Sequence, residues 1–328
     1  MKKYSLLFLL LTSLHIHANI GVLLGAGSNL IVSKTNAITL KSEKVHFKFS
    51  TPRKIEKWGV DALSLVDVNT TFHTQNVSSK THSIQLGFPI SFNTSGENIV
   101  LPALNFSVLS NCIKQETTFT KAIKKYKSLY SWSETYKPKE VKTLNVSYKL
   151  YTSVIAPGII FFQDDKMQTI PVMVFGFEYI TETANSWKGN IKNAVFTADL
   201  TDFIQAVDAN PQTLVSTTSE HQNNRLYLAS STFRPLIFLT FEKHGNRVDQ
   251  NTILWNFTNA MPAKSLFIAI NYAYVPITLE AVKNFVSLLP KSAISSLLHL
   301  YQDALGKTLI PDDNKEIQLI IDYLNTQL

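Results

Sequence analysis

The chain has 328 residues, of which 45% are hydrophobic, 11% aromatic and only 17% charged. Its hydrophobic content excludes an intrinsically disordered chain, and its charged fraction is well below the roughly 25% of ordinary domains. With 31 Lys and Arg against 24 Asp and Glu, the positive charges are too few and too scattered to indicate a nucleic-acid partner. The single cysteine, Cys112, excludes a disulfide scaffold and any multi-cysteine metal site.

The first eighteen residues have the layout of a secretory signal peptide. Lys2 and Lys3 precede an apolar stretch over Leu6–Leu14, and Ala18 supplies the small residue before a cleavage site. We therefore expect residues 1–18 to be removed and the mature protein to be exported, to the periplasm or the extracellular space. A buried N-terminal helix is the alternative. No later stretch approaches the ~18 unbroken apolar residues of a membrane helix, so we expect no transmembrane segment after cleavage.

Over residues 19–276, apolar and polar side chains alternate with the period of two that is typical of β-strands with one buried face. In the first clear segment, Val45 and Phe47 fall on one face, while His46 and Lys48 fall on the other. The same alternation recurs in later segments, and polar turns separate them. Ten or more such strands predict a mainly β fold, an antiparallel β-sandwich.

Three runs differ from this alternation because they are apolar at nearly every position, at 158–162, 172–180 and 236–241. A strand that is covered on both faces has this pattern, since neither set of alternating side chains meets water. We therefore expect these runs to be strands buried on both sides.

One segment in the middle of the chain has the spacing of a helix. Phe119, Ile123, Tyr126 and Tyr130 are separated by three or four residues, as on one helix face. The sequence therefore predicts a short helix near 118–131. This helix would join two lobes of the sandwich, formed by residues 19–110 and 140–276.

Beyond the strand region, the apolar spacing becomes that of helices throughout residues 277–328. Pro290 ends the first apolar stripe, Gly306 follows the second, and Asp313 with Glu316 resembles a capping box before the third. The sequence predicts a helical tail of three helices. Because about fifty residues are few for an independent domain, we expect the tail to pack against the sheets.

The sequence carries no motif of nucleophilic or metal-assisted catalysis. It has no Gly-x-Ser-x-Gly elbow, no His-Glu-x-x-His pair and no histidine near Cys112. We therefore predict no catalytic residue, no metal site and no cofactor.

A carboxylate-dependent hydrolase is the main alternative, because glycosidases need only two carboxyl groups on opposite sides of a bond. Glu178, Glu182, Asp199 and Asp202 are the candidates, since they lie near the aromatic-rich middle of the chain. Solvated surface carboxylates are the simpler interpretation of all four.

Two tryptophans are candidate ligand contacts. Trp132 and Trp187 stand next to polar residues at expected turns, where an indole face could stack on a sugar or a peptide. Lys188 would contact the same ligand. Packing over the core is the alternative for both tryptophans, and a tight turn that needs the backbone freedom of Gly189 is the alternative for residues 187–189.

Four stretches, in order along the chain, match the motifs of a known family. They are Gly25–Lys34 with Ile38–Glu43, Val66–Asn76 with Leu86–Pro89, Tyr130–Pro138 with Leu144–Lys149, and Phe177–Ile191. Together they resemble the secreted bacterial proteins grouped as domain of unknown function 4424, over residues 19–275. In the most specific stretch the family has Asn-Trp-Lys-Gly-Pro-Ile, whereas this chain has Ser186 before the tryptophan and Asn190 in place of the proline. The resemblance implies an exported β-rich protein and transfers no catalytic residue, and the helical tail departs from the family.

The sequence thus favours an exported, non-enzymatic β-rich protein that binds a protein or glycan partner in the envelope or outside the cell. One alternative is a carboxylate-dependent hydrolase of envelope glycans or peptides. Another is a secreted effector or adhesin with the helical tail as its docking element. The sequence predicts no oligomeric state.

Overall fold

The fold is described from a computed structural model of the chain. The residues described are 17–18, 21–24, 31–32, 35–50, 53–55, 60–91, 104–123, 126–155, 159–163, 166–170, 172–179, 186–209, 236–260, 266–273, 275–287, 289–310 and 312–328. Residues 1–16 of the expected signal peptide lie outside this set.

An eight-stranded sheet, called the central sheet below, runs through the molecule. Its strands are, in spatial order, β10 (Ile113–Lys114), β9 (Leu104–Ser110), β13 (Val141–Tyr151), β7 (Leu65–Asn76), β4 (Ile38–Phe49), β18 (Ile191–Asp199), β21 (Thr252–Ala260) and β20 (Asn246–Arg247). Neighbouring strands are antiparallel, except that β4 and β18 are parallel.

Two smaller sheets are called the first and second cover sheets. The first has the order β11 (Thr118–Ile123), β12 (Tyr126–Tyr136), β8 (His82–Ser91), β2 (Gly21–Leu24) and β3 (Ile31–Val32), and β1 (His17–Ala18) also pairs with β8. The second has the order β14 (Ser153–Ile155), β17 (Val172–Tyr179), β22 (Leu266–Ala273) and β19 (Leu236–Phe241). Two separate hairpins are formed by β5 (Arg53–Ile55) with β6 (Val60–Leu63) and by β15 (Ile159–Gln163) with β16 (Lys166–Ile170).

The central sheet has one apolar and one polar face, because successive side chains of a strand point to opposite sides. On β4, Val45 and Phe47 are fully buried, whereas His46 and Lys48 on the opposite face are partly exposed. Neighbouring strands follow the same rule and contribute these buried side chains: Val66, Val68, Phe72, Leu144, Val146, Phe196 and Trp255. The strands that the alternation predicts here are confirmed.

Both cover sheets pack on the apolar face of the central sheet. Phe88 of the first cover sheet meets Tyr148 of β13 edge-on, with ring centres 5.1 Å apart. Phe177 of the second cover sheet meets Phe47 of β4 in the same way, also at 5.1 Å. These rings belong to one continuous core, and such aromatic pairs add roughly 0.5–1.5 kcal/mol each beyond the burial of their area. The predicted antiparallel sandwich is confirmed.

The second cover sheet is buried on both faces. Phe177 and Ile268 face the central sheet, whereas Val174 and Phe238 belong to a second core on the opposite side. This two-sided burial explains the apolar runs that contain β17 and β19, and the expectation for those two runs is confirmed. The third run contains β15, whose side chains are not described.

The second core is completed by the C-terminal helices. Helix α1 (Thr201–Ala209) follows β18, and the tail consists of α2 (Leu279–Val286), α3 (Lys291–Ala304) and α4 (Asp313–Gln327). Val282 and Ile320 are fully buried in this second core. The chain between α3 and α4 also extends the edge of β19, since the Leu239 N–H donates to the Lys307 carbonyl at 2.8 Å. The predicted helical tail and its packing on the sheets are confirmed.

The helix predicted near 118–131 is wrong, because this segment forms the β11–β12 hairpin. The four residues with helical spacing are two cross-strand pairs, Phe119 opposite Tyr130 and Ile123 opposite Tyr126. The two strands of a hairpin pair symmetrically about its turn. The inner two residues of this set therefore face each other, and so do the outer two, although their spacing along the chain is that of a helix. Aromatic and β-branched residues favour this outcome.

The ranges 19–110 and 140–276 do not form two separate lobes. Strands from both ranges share the central sheet, in which β7 pairs with β13 and β4 pairs with β18. The hairpin at 118–136 lies at the edge of the first cover sheet and does not link two bodies.

Candidate functional site

The three residues predicted as ligand contacts lie in different environments. Trp132 on β12 is 3% exposed and Trp187 is 2% exposed, so neither indole has an open face on which a sugar could stack. Their indole N–H groups are also buried, without a hydrogen-bond partner among the described residues. Lys188 is exposed. The burial favours packing for both tryptophans and leaves Lys188 as the accessible member of the set.

The turn that carries Trp187 is fixed to the start of β4. The Thr35 N–H donates to the Ser186 carbonyl at 2.8 Å, and the Lys188 N–H donates to the Ile38 carbonyl at 2.9 Å. Gly189 has a φ of +73°, a conformation that costs glycine nothing and strains other residues. These contacts agree with the interpretation of residues 187–189 as a tight turn with the tryptophan over the core.

Two of the four carboxylates proposed for a hydrolase are described, and each has a partner in the local structure. Asp199 accepts the Thr201 N–H at 2.9 Å near the start of α1, and Asp202 forms an ion pair with Lys48 at 3.1 Å. Both have a local structural role. The side chain of Glu178 and all of Glu182 lie outside the described part of the chain.

A buried carboxyl group that the sequence analysis missed lies between the central sheet and the second cover sheet. Glu43 on β4 is 1% exposed, and the Tyr179 hydroxyl on β17 donates to its Oε1 at 2.9 Å. Neither its Oε2 nor the nearby Tyr148 hydroxyl has a hydrogen-bond partner among the described residues. Burial raises the pKa of Glu43 to about 8, although the hydrogen bond from Tyr179 opposes the rise, so this carboxyl group is largely protonated at neutral pH.

A second buried carboxyl group joins the first cover sheet to the central sheet. Glu134 on β12 is 3% exposed, and its Oε2 accepts hydrogen bonds from the Lys142 ammonium at 2.7 Å and the Ser110 hydroxyl at 3.1 Å. The Lys142 ammonium also lies 5.1 Å from the centre of the Tyr136 ring. The arrangement is a largely buried ion pair with a cation–π contact, and it links the first cover sheet to the central sheet.

Neither buried carboxyl group is placed for hydrolysis. Glu43 and Glu134 are both almost fully covered by packed side chains, so a polymeric substrate has no access to them. One signal in the sequence could have identified both groups, because each glutamate stands in phase with the inward residues of its strand. Glu43 precedes Val45 by two positions, and Glu134 lies midway between Trp132 and Tyr136.

The outer face of the central sheet is accessible and ordered by side-chain hydrogen bonds. The Thr71 hydroxyl donates to Asn145 Oδ1 at 2.9 Å, and His73 Nδ1 lies 3.1 Å from the Thr143 hydroxyl oxygen. Asn69, in the middle of the same face, is exposed. Hydroxyl, amide and imidazole groups both donate and accept hydrogen bonds, so the face offers both kinds of partner to a bound molecule.

Within the described ranges, no three His, Cys, Asp or Glu side chains come close enough to hold a metal ion. The helices in those ranges are each too short or too polar to cross a lipid bilayer.

Comparison with known proteins gives distant structural likeness only. No family model matches the chain, and no curated protein matches it in sequence. A Legionella pneumophila protein provisionally described as a nutrient binding protein is 14% identical, with 93% of this chain and 99% of that chain covered and a TM-score of 0.45. Yeast LTA4 hydrolase is 12% identical over 71% of this chain and 28% of its own (TM-score 0.33). A Deinococcus radiodurans M1 zinc metallopeptidase is 9% identical over 74% and 44% (TM-score 0.30). Likeness at this level carries no argument about what this chain does.

Proposed function

We propose that the chain is an exported, non-enzymatic β-rich protein that binds an envelope glycan through the outer face of its central sheet. The expected signal peptide supports export. The resemblance to domain of unknown function 4424 supports the same class, and we propose membership of that family. The observation that carries the binding function is the accessible, hydrogen-bonded outer face around Asn69, Thr71 and Asn145.

This face suits a glycan because its side chains match the hydroxyl groups of sugars. Thr71, His73 and Asn145 each carry a polar group that is already held in place by a neighbour across the strands. Because these side chains are already held in place, they lose little conformational entropy when a ligand binds. More of the free energy of each new hydrogen bond then contributes to affinity. Because Trp132 and Trp187 are buried, hydrogen bonds rather than stacking on these indoles would supply the contact.

The helical tail gives no support to the effector or adhesin alternative. The apolar stripes of α2, α3 and α4 are used in the second core, where Val282, Leu297 and Ile320 are fully buried. The apolar stripes of the tail are therefore part of the fold and are not available for docking.

Cosedimentation with isolated peptidoglycan sacculi tests the proposal. The purified chain should pellet with the sacculi, and chromatography of the supernatant should find no released muropeptides. Asn69→Arg places a bulky side chain in the middle of the outer face and should weaken binding about tenfold, or 1.4 kcal/mol. Ser83→Arg is the matched control, because Ser83 is an exposed strand residue of the first cover sheet.

Two results would contradict this function. Release of soluble fragments by the wild-type chain would indicate a hydrolase. Equal loss of binding in Asn69→Arg and Ser83→Arg, or no binding at all, would exclude the outer face as the binding surface. Melting temperatures of both variants show whether each is folded.

A further inference from the structure

Exposed lysines are concentrated at one end of the central sheet. The strand register brings together the start of β4, the end of β7 and the start of β13, since Ile38 is opposite Asn76 and Val141 is opposite Gln75. Strand β18 starts at the same end, because it runs parallel to β4. The turns and strand ends there carry five exposed lysines, defined here as the basic rim: Lys80, Lys137, Lys139, Lys188 and Lys192.

The lysines of the basic rim have no partner carboxylate among the residues that the structure describes. Within the described part of the chain, none of the five ammonium groups lies within ion-pair distance of a carboxylate. The Lys139 ammonium donates to the Val77 carbonyl at 2.6 Å, which is a neutral acceptor. Glu140, the acidic residue of the 137–140 turn, accepts the backbone N–H of Lys137 at 2.6 Å. The rim therefore presents a net positive charge.

The opposite end of the same face has a different charge distribution. There Lys48 pairs with Asp202 at 3.1 Å, and Lys149 pairs with Asp67 at 2.8 Å. Lysine is present at both ends of the face, but its charge is compensated at only one. Lys44, exposed opposite Thr71 near the middle of the face, adds a further cation there. The paired lysines thus lie at one end of the outer face, and the lysines of the basic rim lie at the other.

We propose that the basic rim binds the acidic groups of a linear acidic polysaccharide whose sugar rings lie along the outer face. This inference rests on the proposed function and specifies its ligand class. Four adjacent strands separate the outer rim lysines by about 14 Å, at about 4.8 Å per strand. A polymer with repeated acidic groups can meet several of these charges at once, whereas a single small anion meets one or two. Lysine suits this contact because its ammonium group is a compact charge on a flexible side chain. It can therefore approach an acidic group from many directions.

The test compares two forms of one polymer by titration calorimetry. Oligogalacturonate carries a carboxylate on every sugar, and its fully methyl-esterified form has the same backbone without the charge. The wild-type chain should bind the acidic form at least about tenfold more tightly than the ester. Added salt should reduce that preference, because exposed charges are screened.

Two double variants with the same change in net charge locate the contact. Lys188→Gln with Lys192→Gln should weaken binding of the acidic oligomer about tenfold and leave binding of the ester unchanged. Lys48→Gln with Lys149→Gln removes two cations from the opposite end, where each is already paired, and should change affinity less than about twofold.

The outcomes separate this inference from the proposed function. Equal losses of affinity in both double variants would indicate attraction by net charge alone. That result would refute the proposal that the basic rim contacts the polysaccharide. Equal affinity of the wild-type chain for acidic oligomer and ester, or for single-stranded DNA and the acidic oligomer, would overturn the ligand class. In each of these cases, the proposed function would still stand if the wild-type chain binds sacculi and Asn69→Arg weakens that binding about tenfold.

Discussion

Among the described side chains, one glutamate is buried at each of the two interfaces of the sandwich, and the two are stabilised in opposite ways. Between the first cover sheet and the central sheet, Glu134 is paired with the Lys142 ammonium at 2.7 Å. Between the second cover sheet and the central sheet, Glu43 has the Tyr179 hydroxyl as its hydrogen-bond donor. The nearby ionisable groups there are the hydroxyls of Tyr179 and Tyr148, whose own pKa values burial raises.

This difference shows that the partner decides the form in which a buried carboxyl group is tolerated. A cation in contact compensates the cost of removing a carboxylate from water, and the pair is then buried as two charges. Without a cation, the cheaper solution is to keep the proton, and the pKa of Glu43 rises for that reason. The first interface should therefore depend on its lysine, and the second should depend on pH.

The largest expected effect comes from removing the cation of the first interface. Lys142→Met leaves the buried Glu134 carboxylate without its charged partner, which should lower the free energy of unfolding by about 3–5 kcal/mol. Urea denaturation measures this loss. Lys149→Met is a control on the same strand, because Lys149 pairs with Asp67 in a partly exposed position. It should cost less than about 1 kcal/mol, and similar losses in both variants would refute the contrast.

The second expected effect is a loss of stability as the pH rises. The pKa of Glu43 is about 8 in the folded chain and 4.5 when unperturbed. The folded state therefore retains a proton in this range that the unfolded state has released. Stability is greatest below the unperturbed value and falls as the pH rises to the folded value, by about 1.4 kcal/mol per pH unit. From about pH 5.5 to about pH 7.5, this group should cost about 3 kcal/mol.

Glu43→Gln provides the comparison for that pH dependence. The amide keeps the shape of the side chain and an oxygen that accepts the Tyr179 hydroxyl, but it does not titrate. Chemical denaturation at both pH values should show a shallower fall for the variant than for the wild-type chain. Parallel curves would mean that Glu43 does not hold its proton in the fold, and would remove the distinction between the two interfaces.

A smaller effect is expected from the hydroxyl that donates to Glu43. Tyr179→Phe removes this donor and leaves the buried carboxyl group with neither oxygen bonded within the described structure, which should cost about 2 kcal/mol. Tyr148→Phe is the matched control in the same interface, because its hydroxyl has no hydrogen-bond partner among the described residues. Its free energy of unfolding should change by less than about 0.5 kcal/mol. A larger loss of stability in Tyr148→Phe than in Tyr179→Phe would show that Tyr148, rather than Tyr179, stabilises the carboxyl group.

The smallest expected effect concerns a neutral hydrogen bond in the first interface. The Tyr136 hydroxyl lies 2.9 Å from the Thr74 hydroxyl oxygen across the two sheets. Thr74 also donates to the Lys142 carbonyl at 3.3 Å, so it keeps a partner in Tyr136→Phe. The loss should be about 1 kcal/mol by thermal denaturation. A loss as large as that of Lys142→Met would mean that the ion pair does not dominate this interface.

Much of the fold could be predicted from the spacing of apolar residues. Alternation along β4, β7 and β13 indicates which face is buried, because each of these strands has one face in the core and one face toward solvent. The continuous apolar runs of β17 and β19 indicate strands that are buried on both faces. The helically spaced apolar residues after Pro276 indicate the helices of the tail. Each of these patterns follows from burial within a single element.

What could not be predicted depends on contacts between elements. The β11–β12 hairpin resembles a helix in sequence because Phe119, Ile123, Tyr126 and Tyr130 satisfy both spacings, and only the pairing partner distinguishes them. The basic rim combines turns that are far apart in the chain, so only the strand register reveals it. Of the three predicted ligand contacts, Lys188 alone is accessible. Position at an expected turn does not reveal that the Trp132 and Trp187 side chains are buried, because their burial depends on other elements of the fold.

The parallel pairing of β4 with β18 has a consequence for synthesis. Strand β4 is complete at residue 49, but one of its edges has no partner until residues 191–199 have emerged. A nascent chain that stops before that point exposes an open edge in the middle of its largest sheet, which can template intermolecular pairing. Long-range pairing of this kind also folds slowly. We therefore expect fragments that end before β18 to aggregate more readily than the full chain.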